Sequence, residues 1–232
     1  MFKTKLSESS VSKELYTSKL MHRHIGAIAA LILISLLSSL SGTSVDHSIS
    51  NGWEGFLWGL ADPVISLNCL VGIVAIGLLS SVFIRGAAIA GCFIFATVLG
   101  IVIHLLQLNL PGIEIAFAES VGAAIAISTI VLGTMLIVPN QPNLMVLALV
   151  GISAGLFQGY ADAESMIGVG IIPVIAYILG ITLTLFAVAM SAREIGVAMG
   201  MGEINRTLPW KMSIAGFALC AIGIVFLSNS II

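Results

Sequence analysis

Apolar residues run in blocks of about twenty along most of this chain, and short polar stretches separate them. A membrane-crossing helix needs about 20 such residues. The pattern predicts helices near 25–43, 56–82, 87–108, 114–138, 143–161, 166–190 and 211–231. Charges bound most of these runs. Pro139, Asn140, Pro142 and Asn143 split the charge-free stretch from Ser120 to Ala161 into a hairpin, because proline stops helices. The second run is long and contains Pro63, which predicts a kink there or a start deeper than drawn. Runs this apolar on every side reveal no faces by periodicity, so the polar positions must do that.

Composition agrees with the pattern. Of 232 residues, 59% are hydrophobic and 9% charged, and the mean hydropathy is +1.15. Soluble domains carry about 25% charge. The expected fold is therefore all-α: a polytopic integral membrane protein of about seven transmembrane helices. Residues 1–24 read as a cytoplasmic N-terminal segment and 25–232 as a single transmembrane domain. The net charge is −2 and no basic run is present, so nucleic acid is not an expected partner. Cys69, Cys92 and Cys220 lie singly in apolar runs. They form neither a CxxC pair nor a disulfide framework.

Charge placement predicts an orientation. Lys3, Lys5, Lys13, Lys19 and Arg23 precede the first span; Arg85 follows the second; Arg193, Arg206 and Lys211 lie between the sixth and seventh. With the N-terminus inside a bacterial plasma membrane, all nine basic residues fall on the cytoplasmic side, as the positive-inside rule requires. Asp46, Glu54, Asp62, Glu114, Asp162 and Glu164 then gather at or near the opposite face. An anionic mouth raises the local concentration of cations. The first span also resembles a cleavable signal sequence. Its polar leader of 24 residues is long, and its apolar core exceeds the usual length of about 7–15, so a retained helix is favoured.

One pattern occurs twice, one hundred positions apart. Gly55-Phe-Leu-Trp-Gly59-Leu-Ala61-Asp62 returns as Gly155-Leu-Phe-Gln-Gly159-Tyr-Ala161-Asp162. Glycines four apart let another helix approach closely. An ionisable group in or beside lipid is a functional-site candidate, and two such sites in two halves of a membrane protein suggest a transporter built from repeats. Asp62, Ser66 and Cys69 would stack on one face of a continuous helix, where carboxylate, hydroxyl and thiolate can bind a cation. Equally, Asp62 can cap a Pro-started turn, with Cys69 a small core residue. His104 is the single histidine inside a predicted span. Imidazole is the commonest metal ligand, although it can also just bond a neighbouring helix. Glu114 suits a helix N-terminus; Glu119 lies deeper and needs a partner. Gly151-Ile-Ser153-Ala-Gly155 has the spelling of a nucleophile elbow, but it lacks the preceding strand. It reads as small-residue packing. No P-loop is present, so neither ATP coupling nor a cofactor is expected.

With those residues in view, the chain resembles the HupE/UreJ family of nickel and cobalt permeases, and within it a cyanobacterial-like branch. The resemblance runs from about Trp53 to Gly196. It lies in Gly59-Leu-Ala-Asp62-Pro63-Val-Ile-Ser66-Leu-Asn68-Cys69, in His104-Leu-Leu-Gln107 followed by Leu110-Pro111-Gly-Ile-Glu114, and in Phe157-Gln158-Gly159-Tyr160-Ala161 followed by Asp162 and Glu164. The family's motifs carry histidines where this chain has Asp62, Cys69 and Gln158; an aspartate stands as Asn68 and a glycine as Ser66. The resemblance implies a six-helix core, preceded here by a signal-anchor-like helix. It also implies transport of a divalent transition metal, nickel or cobalt, with Asp62, Asn68, Cys69, His104, Glu114, Gln158, Asp162 and Glu164 along the path. Imidazole suits these metals better than carboxylate, so selectivity is expected to be weakened or altered. A scaffold subunit that kept the fold and binds partner helices is the alternative. Expected partners are the lipid bilayer, the transported ion, and a membrane protein or second copy of the chain.

Overall fold

The computed structural model describes residues 23–35, 49–106, 114–138, 143–199 and 210–231, with no side-chain description for 114–119, 210, 211 and 231. Helix α1 is Arg23–Ser35. It is followed by α2 (Gly52–Ile65), α3 (Leu67–Ser80), α4 (Gly86–Leu105), α5 (Glu114–Ile137), α6 (Leu144–Asp162), the short 3-10 helix η1 (Ala163–Met166), α7 (Ile171–Ala198) and α8 (Trp210–Ile231). No strand occurs among the described residues. The expected spans from the third to the seventh correspond to α4–α8, with α7 extending eight residues beyond its expected end.

Among the described residues, five helices are long and apolar enough to cross a membrane unaided, and α2 with α3 forms a sixth candidate that bends by 75°. The bend is at Ser66, three residues beyond Pro63. Pro63 lies inside α2 and supplies no N–H to the preceding turn. Ser66 leaves the helical region (φ −75°, ψ 105°). Its N–H closes α2 on the Asp62 carbonyl at 2.8 Å, while its hydroxyl accepts from the Cys69 N–H at 3.5 Å. One serine therefore ends one helix and caps the next. Asp62, Ser66 and Cys69 accordingly do not share one continuous helix face, and the cap of α3 is Ser66 rather than Asp62. At its other end, α2 has reciprocal caps: Asn51 accepts from the Glu54 N–H at 2.9 Å, and Glu54 accepts from the Ser50 N–H at 2.8 Å.

Is the bent pair one span or a re-entrant loop? Helix α7 decides it. Gly55 and Gly59 rest on the backbone of Pro173 and Tyr177, and further along α7 Gly77 rests on Ala189. Gly196 meets Ser81 and Leu78. Both α2 and α3 thus run in the direction of α7, one beside each half, and the pair is one broken crossing. The other helix pairs agree. Gly155 meets Phe93, and Gly159 meets Thr97, so α6 is parallel to α4; Gly133 meets Gly216, while Gly223 meets Ala126 and Ile130, so α8 is antiparallel to α5. All these signs fit six crossings of alternating direction.

The first expected span is only partly covered. Helix α1 has 13 residues, and 36–48 lie outside the described residues. Ile28 and Ile32 line a cavity of about 230 Å³ together with Val74, Leu78, Ile195 and Met212. At the far end, the Ser35 hydroxyl donates to the Ile65 carbonyl at 3.1 Å. This carbonyl is left without a helical donor where α2 breaks, and in lipid it needs a substitute. So α1 runs against the direction of α3 and its last residue repairs the break.

Candidate functional site

The repeated motif places its two carboxylates on two different helix pairs. On α2, Gly55 and Gly59 press into α7, and Gly180 of α7 presses back on the Phe56 carbonyl and Leu60. On α6, Gly155 and Gly159 press into α4, and Gly100 of α4 presses back on Leu156 and Tyr160. Each motif therefore consumes its glycines in a close pair with a reciprocal glycine from the partner. The glycine faces are internal and not free for another protein. Ser153, of the elbow-like spelling, bonds the Leu149 and Val150 carbonyls of its own helix, each at 3.0 Å, as a packing serine does.

Asp62 and Asp162 end these motifs and lie close enough to interact electrostatically with each other and with Cys69. Cys69 is buried, and so is Gln158. Gln158 stands one turn before Asp162 on α6 and donates from Nε2 to its Oδ1 at 2.8 Å. The other oxygen of that carboxylate, Oδ2, is buried with no hydrogen-bond partner, and so is Oδ1 of Asn68. Tyr177 of α7 completes the group. It is wholly buried. Its hydroxyl donates to the Asp162 backbone carbonyl at 3.4 Å and lies within hydrogen-bonding reach of the Asp62 side chain. Tyr177 stands six residues into α7, about 9 Å along the helix from its start.

His104 is placed differently. It continues the α4 stripe of Thr97 and Gly100 and stacks on Tyr160, with ring centroids 4.1 Å apart. At about 100° per residue, Tyr160 and the Gln158–Asp162 pair flank opposite sides of the glycine face of α6. His104 borders a cavity of about 410 Å³ with Met166, Gly168, Val174 and Ile178, and its Nδ1 is buried without a partner. Glu164 is exposed in η1. The side chain of Glu114 lies outside the described residues, as does that of Glu119.

The structure thus brings together Asp62, Cys69, Gln158 and Asp162, with Asn68 beside Cys69 in the first turn of α3. His104 contacts Tyr160, on the other flank of the α6 glycine face. Among the described residues, no three His, Cys, Asp or Glu side chains are arranged to hold one metal ion. Tyr177 was not anticipated from sequence. A tyrosine in the apolar run of α7 carries no polar signal of its own. The available clue was its place in the stripe Pro173, Tyr177, Gly180, Ile181, Thr184, which has small or kinked positions at helical spacing.

Comparison with curated proteins returns no match, and comparison with solved structures returns none. The HupE / UreJ protein family profile matches residues 33–226. That stretch covers both glycine–aspartate motifs, all six α-helices from α2 to α7 and most of α8, and on it the chain belongs to the HupE/UreJ family.

Proposed function

We propose that this protein carries a divalent transition-metal cation, nickel or cobalt, across a bacterial plasma membrane with its N-terminus in the cytoplasm. The family is associated with nickel and cobalt transport. The observation that supports the reading for this chain is the buried, partnerless carboxylate oxygen of Asp162 inside a helical membrane bundle, within electrostatic range of Asp62 and Cys69. Carboxylates in such a place are expensive and mark ion pathways. The partnerless oxygens of Asp162 and Asn68 are lone-pair donors, and a cation satisfies such atoms. The ion enters past Glu164 and the cavity beside His104, where the acidic residues of one face gather. It then reaches Asp162, Asp62 and Cys69, while Gln158 holds Asp162 in place. Glu114 belongs to the same mouth. Imidazole is replaced by carboxylate, thiol and amide at three motif positions, so nickel selectivity is reduced.

A second reading is a membrane subunit that keeps the permease fold and does not transport. It draws on the absence of a three-donor group among the described residues. The glycine faces proposed to bind partners are filled internally, which removes one motive for it. Uptake of Ni²⁺ and Co²⁺ into liposomes containing the full chain separates the two. Saturable uptake above protein-free liposomes supports the permease; none, in folded protein, supports the subunit.

A further inference from the structure

The geometry points to Tyr177 as the residue that positions Asp62 for the ion and ties the two motif helices together at the site. The inference rests on the ion-transport reading above. Asp62 rides on the α2–α7 pair and Asp162 on the α4–α6 pair. Tyr177 belongs to the first pair and reaches the second. Its hydroxyl lies within hydrogen-bonding reach of the Asp62 side chain and 3.4 Å from the Asp162 backbone carbonyl.

The hydroxyl has one hydrogen and two acceptors before it. A carbonyl at 3.4 Å lies at the weak end of hydrogen bonding, whereas a carboxylate is the stronger acceptor. The Asp162 carbonyl also receives the Ser165 hydroxyl at 3.0 Å, so it does not depend on Tyr177. Asp62 gains more from the contact. A ligand carboxylate fixed through one oxygen presents the other in a defined direction, and such supporting partners tune metal affinity. Gln158 does this for Asp162 at 2.8 Å; Tyr177 does it for Asp62. The two carboxylates are therefore matched in support as well as in motif. The backbone locks the arrangement, because Gly59 lies on the Tyr177 carbonyl with no room for a side chain. That fixes the register of Tyr177 against Asp62, three residues further along α2.

The test uses full-length protein in liposomes and initial rates of Ni²⁺ and Co²⁺ uptake over a concentration series. Tyr177→Phe keeps the ring and removes the hydroxyl. It is expected to raise KM about tenfold while the maximal rate stays within about twofold. Thr184→Val is the comparison. The Thr184 hydroxyl donates to the Leu60 carbonyl at 3.1 Å, two turns further along α7, so its loss removes an α2–α7 hydrogen bond made to backbone and to neither carboxylate. KM is expected to stay within about twofold of wild type there. A Tyr177→Phe protein with unchanged KM overturns the role of Tyr177 while leaving the permease reading intact. An equal rise in KM for Thr184→Val also overturns it, since the effect is then general loosening. Wild-type protein that takes up neither ion overturns the permease reading itself, and this role with it.

Discussion

Gly159 lies directly on the carbonyl of Thr97, and a methyl group does not fit between them. The contact is backbone against backbone, so no side chain can swing aside. Gly159→Ala must push α6 off α4, and overpacking of this kind costs about 1–3 kcal/mol. Gly91 provides the contrast. It is on the exposed side of α4, where a methyl group would meet nothing within 4 Å. Gly91→Ala should be neutral or stabilise by about 0.5–1 kcal/mol, through helix propensity alone. Thermal unfolding in one detergent, or denaturant titration, ranks the two variants. Equal stability would mean that the α4–α6 contact is not tight.

Orientation follows from the same helix directions. Glu164 stands in η1 before α7, and Glu194 near the end of α7. Both are exposed, and 28 residues of helix make α7 long enough to carry its ends to opposite faces. In a chain whose own cysteines have been replaced, Glu164→Cys should react with an impermeant maleimide added to intact cells. Glu194→Cys should react only after permeabilisation. The reverse result would invert the topology.

Much of this fold is legible in the sequence because lipid imposes one dominant constraint. Each crossing needs about 20 apolar residues, so the ends of α4, α5, α6 and α8 fall within three residues of the expected spans. The aspartates of the repeated motif were legible too, since charge is rare in such a chain. Three features were not. The break at Ser66 depends on its hydroxyl capping α3 and on Ser35 reaching the Ile65 carbonyl from α1. Neither contact leaves a trace in hydropathy. The contact of His104 with Tyr160 depends on which flank of the α6 glycine face it meets, and an all-apolar helix has no moment to show it. Tyr177 is silent for the same reason.

His104 and Asp162 should respond differently to removal. Asp162 sits in the carboxylate group; His104 stacks on Tyr160 beside a separate cavity. Asp162→Asn keeps the shape and the Gln158 contact through its amide oxygen, yet removes the charge. Ni²⁺ uptake should fall by about 10–100-fold, the scale of a disrupted metal environment. His104→Ala should fall by less and act mainly on KM, as loss of an entry ligand. Uptake kinetics of both variants decide it. If His104→Ala is the more severe, the ion path centres on the cavity and not on the carboxylates.

The position of Gln158 suggests how to strengthen the site. Its amide bonds Asp162 Oδ1 at 2.8 Å from one turn earlier on the same helix. A histidine there has the same acceptor within reach. One ring N–H donates to the carboxylate, and the other nitrogen, kept unprotonated, faces outward as a ligand. Metal-binding histidines are commonly held by a carboxylate in this way. Imidazole also suits Ni²⁺, whereas a neutral amide oxygen is a poor ligand for it. Gln158→His should therefore tighten Ni²⁺ binding about tenfold, with a smaller gain for harder cations such as Mg²⁺. Equilibrium binding in detergent measures this directly, without relying on transport. A side-by-side Gln158→Leu variant removes both the ligand and the support for Asp162 and should weaken binding. If histidine and leucine at 158 bind Ni²⁺ equally, Gln158 does not face the ion path, and Asp162 is held there for packing alone.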